Sequence, residues 1–350
     1  MTARQRIASG IRVVAFYTGV LAGCVPPQPQ PAERVELLLI PGVIGVAAGM
    51  SPVPAPRGSG RRVPLTPNST TASRLIRIDV NRAGRWVAEQ TALPADSFPY
   101  SARAALIVFG GPSRDAAALL RLLKADSGGR RRAEAALRTV TASDSLQSVV
   151  FLPGPVSLRD REAMLLALDD LAGSARLARA GEVAVAVAGG DTAGYPSRPI
   201  AAIADALLVD VSPPAPLASP GPPVTIEGVR EAVGLRGAEV GRGRLILLLP
   251  VHGYAWPQDS LPRAITFDEG VRLAGEWRAT LRRDDASQAL FARVPGRGEL
   301  WLVDARLVAV LARESRGMGI RRFAVVLGAG EDLAVGDSLA SALQTTSRSR

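Results

Sequence analysis

Residues 245–257 read Leu-Ile-Leu-Leu-Leu-Pro-Val-His-Gly-Tyr-Ala-Trp-Pro. The run Leu245–Val251 carries no polar side chain, which is typical of a strand buried on both faces of a parallel sheet. The side chains of His252, Tyr254 and Trp256 follow directly after it. The stretch therefore predicts a central strand with a polar and aromatic cluster at its carboxyl end.

Seven further apolar runs of similar length predict seven more strands, at Val35–Ile40, Leu75–Val80, Ala104–Phe109, Gln147–Leu152, Val183–Ala188, Ala206–Val211 and Phe323–Leu327. Helical patterns lie between several of them, at Ser113–Lys124, Arg130–Val140, Asp160–Arg179, Pro199–Ala204, Ile226–Gly234, Thr266–Leu281 and Val303–Arg316. Eight strands alternating with helices predict an α/β fold of the (β/α)8 TIM-barrel type, in which functional residues follow the carboxyl ends of the strands. We expect the barrel over residues 35–342, irregular in its first two units, with a Pro/Gly/Arg-rich loop at 50–67 and a disordered tail at 343–350.

The N-terminus has a basic start, an apolar stretch over Val13–Leu21 and then Ala-Gly-Cys24. This layout is that of a secretory signal, and it resembles a bacterial lipoprotein signal, in which the cysteine is lipidated and becomes the mature N-terminus. We therefore expect a signal peptide at 1–23, lipidation of Cys24, and a Pro/Gln-rich spacer at 24–34. The protein would be exported and lipid-anchored to the cell envelope, and Val25 favours the outer membrane where one exists. An ordinary spanning or cleaved signal with an incidental cysteine is the alternative.

Composition excludes several kinds of site. The chain has one cysteine, Cys24, and one histidine, His252, so disulfides, cysteine-based metal sites and multi-histidine metal sites are excluded. We predict neither a metal nor a cofactor. The formal charge is +10, but aromatic residues make up only 4% of the chain. A nucleic-acid partner is not expected, because such surfaces combine basic residues with stacking aromatics.

Several segments resemble the chitinase-like barrels of glycoside hydrolase family 18. Residues 245–257 resemble the seventh strand of that family, where Pro-x-Tyr-Gly-Tyr-x-Trp is common. The resemblance continues over roughly Ala102 to Leu339, in the segments Asp160–Leu168, Val183–Pro196, Trp301–Arg306 and Gly319–Asp332. It implies a barrel that binds a glycan or a partner in envelope or exopolysaccharide processing.

The acidic signature of the family is missing. The resemblance places Asp-x-x-Asp-x-Asp-x-Glu at the end of the fourth strand, where the final Glu protonates the glycosidic oxygen. Here Ser148–Val156 contains no carboxylate, and Pro153-Gly154-Pro155 stands at the equivalent place. Pro and Gly cannot act as a general acid, so we expect a barrel without the hydrolytic mechanism of the family.

The remaining candidates for ligand binding are Asp191, Asp210, His252, Tyr254 and Trp256. Tyr254 and Trp256 could stack on a sugar ring with His252 as a polar contact, or all three could pack the barrel mouth. Asp191 and Asp210, with Asp79, are acids at strand ends, although Asp79 and Asp191 also suit Asx-type turns.

Three functions follow from these observations. The first is a membrane-tethered, non-catalytic barrel that binds a polysaccharide or an envelope protein. The second is an active glycoside hydrolase whose acids have moved to Asp79, Asp191 or Asp210. The third is a structural protein-interaction module.

Overall fold

The computed structural model describes residues 35–41, 70–80, 86–89, 102–109, 135, 148–153, 156–178, 180–212, 219–327 and 330–344. The predicted signal peptide, Cys24, the spacer and the loop at 50–67 lie outside these residues. So do the helices predicted at Ser113–Lys124 and Arg130–Val140, apart from a helical Ala135. Among the described residues, no helix combines the length and apolar character that crossing a membrane requires.

Eight parallel strands form the main sheet. They are β1 (Val35–Pro41), β2 (Thr70–Val80), β4 (Ala102–Phe109), β5 (Ser148–Leu152), β6 (Glu182–Ala188), β7 (Ala206–Asp210), β8 (Leu245–Leu249) and β14 (Arg322–Leu327). Strand β1 pairs with β14 on one side and with β2 on the other, so that Leu37 lies opposite both Phe323 and Ala72. These pairings close the eight strands into a ring, and the predicted (β/α)8 barrel is confirmed. A short strand, β3 (Trp86–Glu89), lies antiparallel on β2.

Strands β7 and β8 form from apolar runs because both of their faces are buried. Every residue of β7 and β8 is buried, as the continuous aliphatic runs require. At the carboxyl end of β5, Phe151 and Leu152 have no exposed surface.

Six α-helices are described over their whole length. They are α1 (Arg161–Leu177), α2 (Ser197–Ile203), α3 (Ile226–Val240), α4 (Phe267–Glu276), α5 (Ala305–Gly317) and α6 (Val335–Gln344). Three begin at a side-chain cap: Thr225, Thr266 and Asp304 each accept a hydrogen bond from a backbone N–H in the first turn, which satisfies a donor that the helix leaves unpaired. Helix α6 runs to Gln344, so residues 343 and 344 are helical and do not belong to the predicted tail.

A second sheet lies between β8 and α5, where the sequence predicted only a barrel helix. Its strands are β9 (Gly253–Pro257), β10 (Arg263–Ile265), β11 (Arg282–Arg283), β12 (Leu290–Val294) and β13 (Gly298–Leu302), all antiparallel in the order β10-β9-β13-β12-β11. We call it the inserted sheet. The helix predicted at Thr266–Leu281 is the shorter α4, and it packs on this sheet through a small apolar core of its own, made of Ala255, Ile265, Ala274, Ala292, Leu300 and Leu302.

Glycine permits close approach where the inserted sheet begins. A Cβ built on Gly253 would lie 2.3 Å from the Trp301 carbonyl oxygen of the neighbouring strand. Only the absence of a side chain at Gly253 allows β13 to pair here, directly beyond the barrel mouth.

Candidate functional site

The carboxyl end of β5 carries no acid. Strand β5 ends at Leu152, and the following Pro153 is buried. Gly154 and Pro155 lie outside the described residues, but neither bears a proton donor. Residues 149–156 therefore include no carboxylate side chain.

Asp210 is the acid that the structure places at the barrel mouth. It ends β7, is 1% exposed, and one carboxylate oxygen accepts a hydrogen bond of 2.9 Å from the Ser212 backbone N–H. The pKa of the neighbouring Tyr254 phenol is raised, chiefly by burial and in addition by the charge of Asp210. Both side chains are buried.

His252, Tyr254 and Trp256 form a continuous cluster of rings in the segment that follows β8. His252 Nε2 and the Tyr254 hydroxyl are 3.1 Å apart, and their rings meet edge to face with centroids 5.2 Å apart. The Tyr254 and Trp256 rings are tilted at 58° with centroids 5.9 Å apart. Tyr254 is fully buried, so it packs in the floor of the mouth. The Trp256 indole N–H is also buried and finds no acceptor in the part of the chain that is described.

Asp191 and Asp79 are placed differently. Asp191 is exposed, and its Oδ1 accepts a hydrogen bond of 2.7 Å from the Gly194 backbone N–H, closing an Asx-type turn. Asp79 is the penultimate residue of β2, where its backbone pairs with Val108 of β4; its side chain lies outside the described residues. The structure thus gives Asp191 a local role in its turn.

A buried arginine, which sequence reasoning missed, fixes the segment that contains Asp191. Arg236 of α3 has no exposed surface. Its Nη2 donates to the carbonyl oxygens of Ala188 and Asp191, at 2.5 and 2.8 Å, and its Nη1 donates to the Tyr195 carbonyl oxygen and to Ser197 Oγ. Burial lowers the pKa of this guanidinium, although the charges of Glu239 and Asp191 oppose that effect.

The aromatic cluster continues across the inserted sheet as a row of directly opposed residues, which we call the first row. Tyr254 of β9 lies opposite Trp301 of β13, Trp301 lies opposite Phe291 of β12, and Phe291 lies opposite Arg282 of β11. Directly opposed residues share one face of a sheet. The Phe291 and Trp301 rings are stacked, with centroids 5.0 Å apart at 22°. Trp301 is 9% exposed and packs in the barrel core, whereas Phe291 is half-buried.

A second row lies beside the first on the same face. Trp256 lies opposite Glu299, and Glu299 lies opposite Arg293. The buried Glu299 carboxylate accepts hydrogen bonds from Trp301 Nε1 at 2.6 Å and from Arg293 Nε at 2.5 Å. The hydrogen bond and charge of Glu299 raise the pKa of Arg293. We call the surface formed by the two rows the barrel-side face.

Sequence reasoning named Tyr254 and Trp256 of this face but missed Phe291, Arg293 and Glu299. The signal was the alternation in Leu290–Val294 and Gly298–Leu302, where every second residue is aromatic or charged. The arrangement can stack a ring on Phe291 and offer hydrogen bonds beside it. No group of three or more His, Cys, Asp or Glu residues is placed to hold a metal within the described ranges.

Comparison with protein-family models and with curated protein sequences finds no match. The structure is similar to a chitinase from Chromobacterium violaceum, with 17% identity, a TM-score of 0.63, and coverage of 78% of this chain and 91% of that one. The Bacillus cereus spore cortex-lytic enzyme SleL has 15% identity and a TM-score of 0.65, with coverage of 90% of this chain and 76% of that one.

A class V chitinase mutant from Nicotiana tobaccum, solved in complex with NAG4, has 14% identity and a TM-score of 0.62. It covers 79% of this chain, and 92% of its own length is matched. Sequence identities this low establish the fold alone. The chain has the (β/α)8 barrel fold that these chitinases and the cortex-lytic enzyme share.

Proposed function

We propose that this protein binds a glycan at the mouth of its barrel, without chitinase-type hydrolysis, and is tethered to the cell envelope by a lipid on Cys24. The observation that carries the proposal is the aromatic row from Tyr254 through Trp301 to the half-buried Phe291. Such a row starts in the barrel mouth and ends at a ring that a ligand can reach.

The aromatic row suits a sugar because the faces of a pyranose ring carry apolar C–H groups that pack on aromatic rings, while polar groups around them fix orientation. Tyr254 and Trp301 are buried and support the platform, so contact with the ligand falls to Phe291 and to the side chains beside it. Similar structures include enzymes named as chitinases and a spore cortex-lytic enzyme, and one of them holds NAG4.

The absence of chitinase-type hydrolysis is proposed because the end of β5 supplies no general acid. Loss of a positioned general acid typically costs a factor of about 10²–10⁴ in rate. Asp210 is buried beside Tyr254 and accepts a backbone hydrogen bond, and Asp191 closes a turn. Neither arrangement resembles an acid held over a scissile bond.

The tether is proposed from the sequence. A lipid on Cys24 would supply about 0.8 kcal/mol of membrane affinity for each buried CH₂ group. The Pro/Gln-rich spacer at 24–34 would hold the barrel away from the membrane surface.

The test uses N-acetylglucosamine oligomers, a binding titration and an assay for new reducing ends. We expect binding without turnover, and Phe291→Ala should weaken affinity about 2- to 10-fold, the range for loss of an aromatic contact. Phe267→Ala is the matched control, because Phe267 is also half-buried but packs on the opposite face of the inserted sheet.

If the wild type releases new reducing ends and Asp210→Asn abolishes that turnover, the protein is a glycosidase whose acid has moved, and the proposal is replaced. Absence of binding to any glycan would refute the binding function and favour a protein-interaction module.

A further inference from the structure

The barrel-side face ends in two arginines. Arg282 lies directly opposite Phe291, and Arg293 lies two residues beyond Phe291 on the same strand. Arg282 and Arg293 are thus diagonal neighbours on one face of an antiparallel sheet, and the Cα atoms of such residues are about 7–8 Å apart. The two guanidinium groups therefore flank the ring at the open end of the aromatic row.

Both guanidinium groups have donors available for a ligand. The Arg293 side chain is 71% exposed, and Glu299 engages only its Nε. Its two terminal nitrogens make no hydrogen bond with any described residue. Arg282 is also exposed and forms no ion pair or hydrogen bond within the described part of the chain.

The acid on the barrel-side face itself, Glu299, is buried. It lies at the centre of the face, where Trp301 and Arg293 both bind its carboxylate. Asp284 and Asp285 lie in the turn that follows β11, and the Asp284 carboxylate accepts two hydrogen bonds from Ser287, at 2.7 and 2.6 Å. Asp285 is exposed in that turn, outside the two rows, so the exposed charges on the barrel-side face itself are those of the two arginines.

We propose that the glycan bound on this face is anionic, with sugar carboxylates paired to Arg282 and Arg293 while one ring stacks on Phe291. The inference rests on the proposed glycan-binding function and adds the class of glycan. The chemistry fits because the planar guanidinium group binds a carboxylate through two parallel hydrogen bonds. Two separate arginines suit a chain that carries a carboxylate on each residue, such as a polyuronate, rather than a single acid.

The experiment compares two β-1,4-linked tetramers that differ only at C6: cellotetraose, with a hydroxymethyl group there, and the glucuronate tetramer, with a carboxylate there. Affinities for the purified full-length protein are measured at low and at high salt. The variants are the double substitution Arg282→Gln with Arg293→Gln, and the control Arg272→Gln. Arg272 is also exposed and paired to a glutamate, but it lies on α4, which covers the other face.

We expect the charged tetramer to bind more tightly than the neutral one, and the advantage to shrink at high salt. The double variant should bind the charged tetramer about 3- to 10-fold more weakly, which is the contribution of two exposed ion pairs. Its affinity for the neutral tetramer should be unchanged. Arg272→Gln should retain the preference.

Equal binding of the two tetramers, or a preference that survives the double substitution, would overturn the anionic assignment. In that case Phe291-dependent binding of the neutral tetramer would leave the glycan-binding function standing. If neither tetramer nor any N-acetylglucosamine oligomer binds, both proposals fail together.

Discussion

Replacing Arg236 by methionine should destabilise this protein more than any single exposed substitution. The guanidinium has no exposed surface and reaches four oxygen acceptors in the segment 188–197. Methionine fills much of the same volume but donates nothing. The substitution removes a donor from three carbonyl groups and one hydroxyl group. The Asp191 carbonyl oxygen still accepts a hydrogen bond from the Tyr195 N–H at 3.2 Å, so the cost falls mainly on the buried acceptors of Ala188, Tyr195 and Ser197.

The magnitude follows from those acceptors. Each buried acceptor left without a donor costs about 1–3 kcal/mol. The wild type also bears the cost of burying a cation, and this burial lowers the pKa of Arg236. The methionine variant does not bear that cost, which offsets part of the loss. We expect a net loss of about 3–5 kcal/mol in the free energy of unfolding, similar to removing one partner from a buried charged pair. At roughly 2–4 °C for each kcal/mol, Tm should fall by about 6–20 °C.

The assay is urea denaturation followed by circular dichroism, with a thermal melt as a second measurement. The matched control is Arg230→Met, since Arg230 lies on the same helix but is 52% exposed and pairs with Glu314 at the surface. We expect little change in that variant, because exposed ion pairs contribute little. A loss below about 1 kcal/mol for Arg236→Met, or an equal loss for both variants, would refute the view that these buried hydrogen bonds hold the segment.

Two further predictions concern the site and the tether. Burial, together with the charge of Asp210, raises the pKa of Tyr254 above its ordinary value of 10.0. Above pH 10 the Tyr254 phenol ionises more readily in the unfolded chain than in the folded one. The stability that the buried phenol contributes is therefore complete below pH 10 and is lost as the pH rises further. Urea midpoints measured across this alkaline range should fall less steeply in Tyr254→Phe than in the wild type, and identical slopes would contradict the buried placement. Cys24→Ser should move the protein out of the membrane fraction on detergent partitioning, because the acyl chains are its proposed anchor; a variant that stays membrane-bound at its mature size would exclude lipidation at this residue.

Several barrel strands were readable from local sequence because they are apolar on both faces. Leu245–Val251 and Ala206–Val211 correspond to β8 and β7, whose residues are all buried. The largest departure is at β2, which begins at Thr70 instead of Leu75. Residues 70–74 are mostly polar or small, so apolar periodicity cannot detect their pairing.

The inserted sheet could not be read in the same way. Its strands are two to five residues long, and β11 (Arg282–Arg283) has no apolar residue at all. Leu290–Val294 interrupts its apolar residues with Arg293, so the segment lacks the continuous run that marks a buried strand. The glycine that lets β13 approach, Gly253, is recognisable only once its neighbour is known.

The sequence by itself determined which residues line the barrel, and that the end of the fourth barrel strand lacks an acid, because both depend on residues adjacent in the chain. Only the tertiary structure decided which side chains share the barrel-side face. Tyr254 meets Trp301, and Glu299 meets Trp256 and Arg293, through strand register. Register depends on how separate strands pair, through their apolar pattern and the turns between them, and a slip of one residue would turn every one of these side chains to the opposite face.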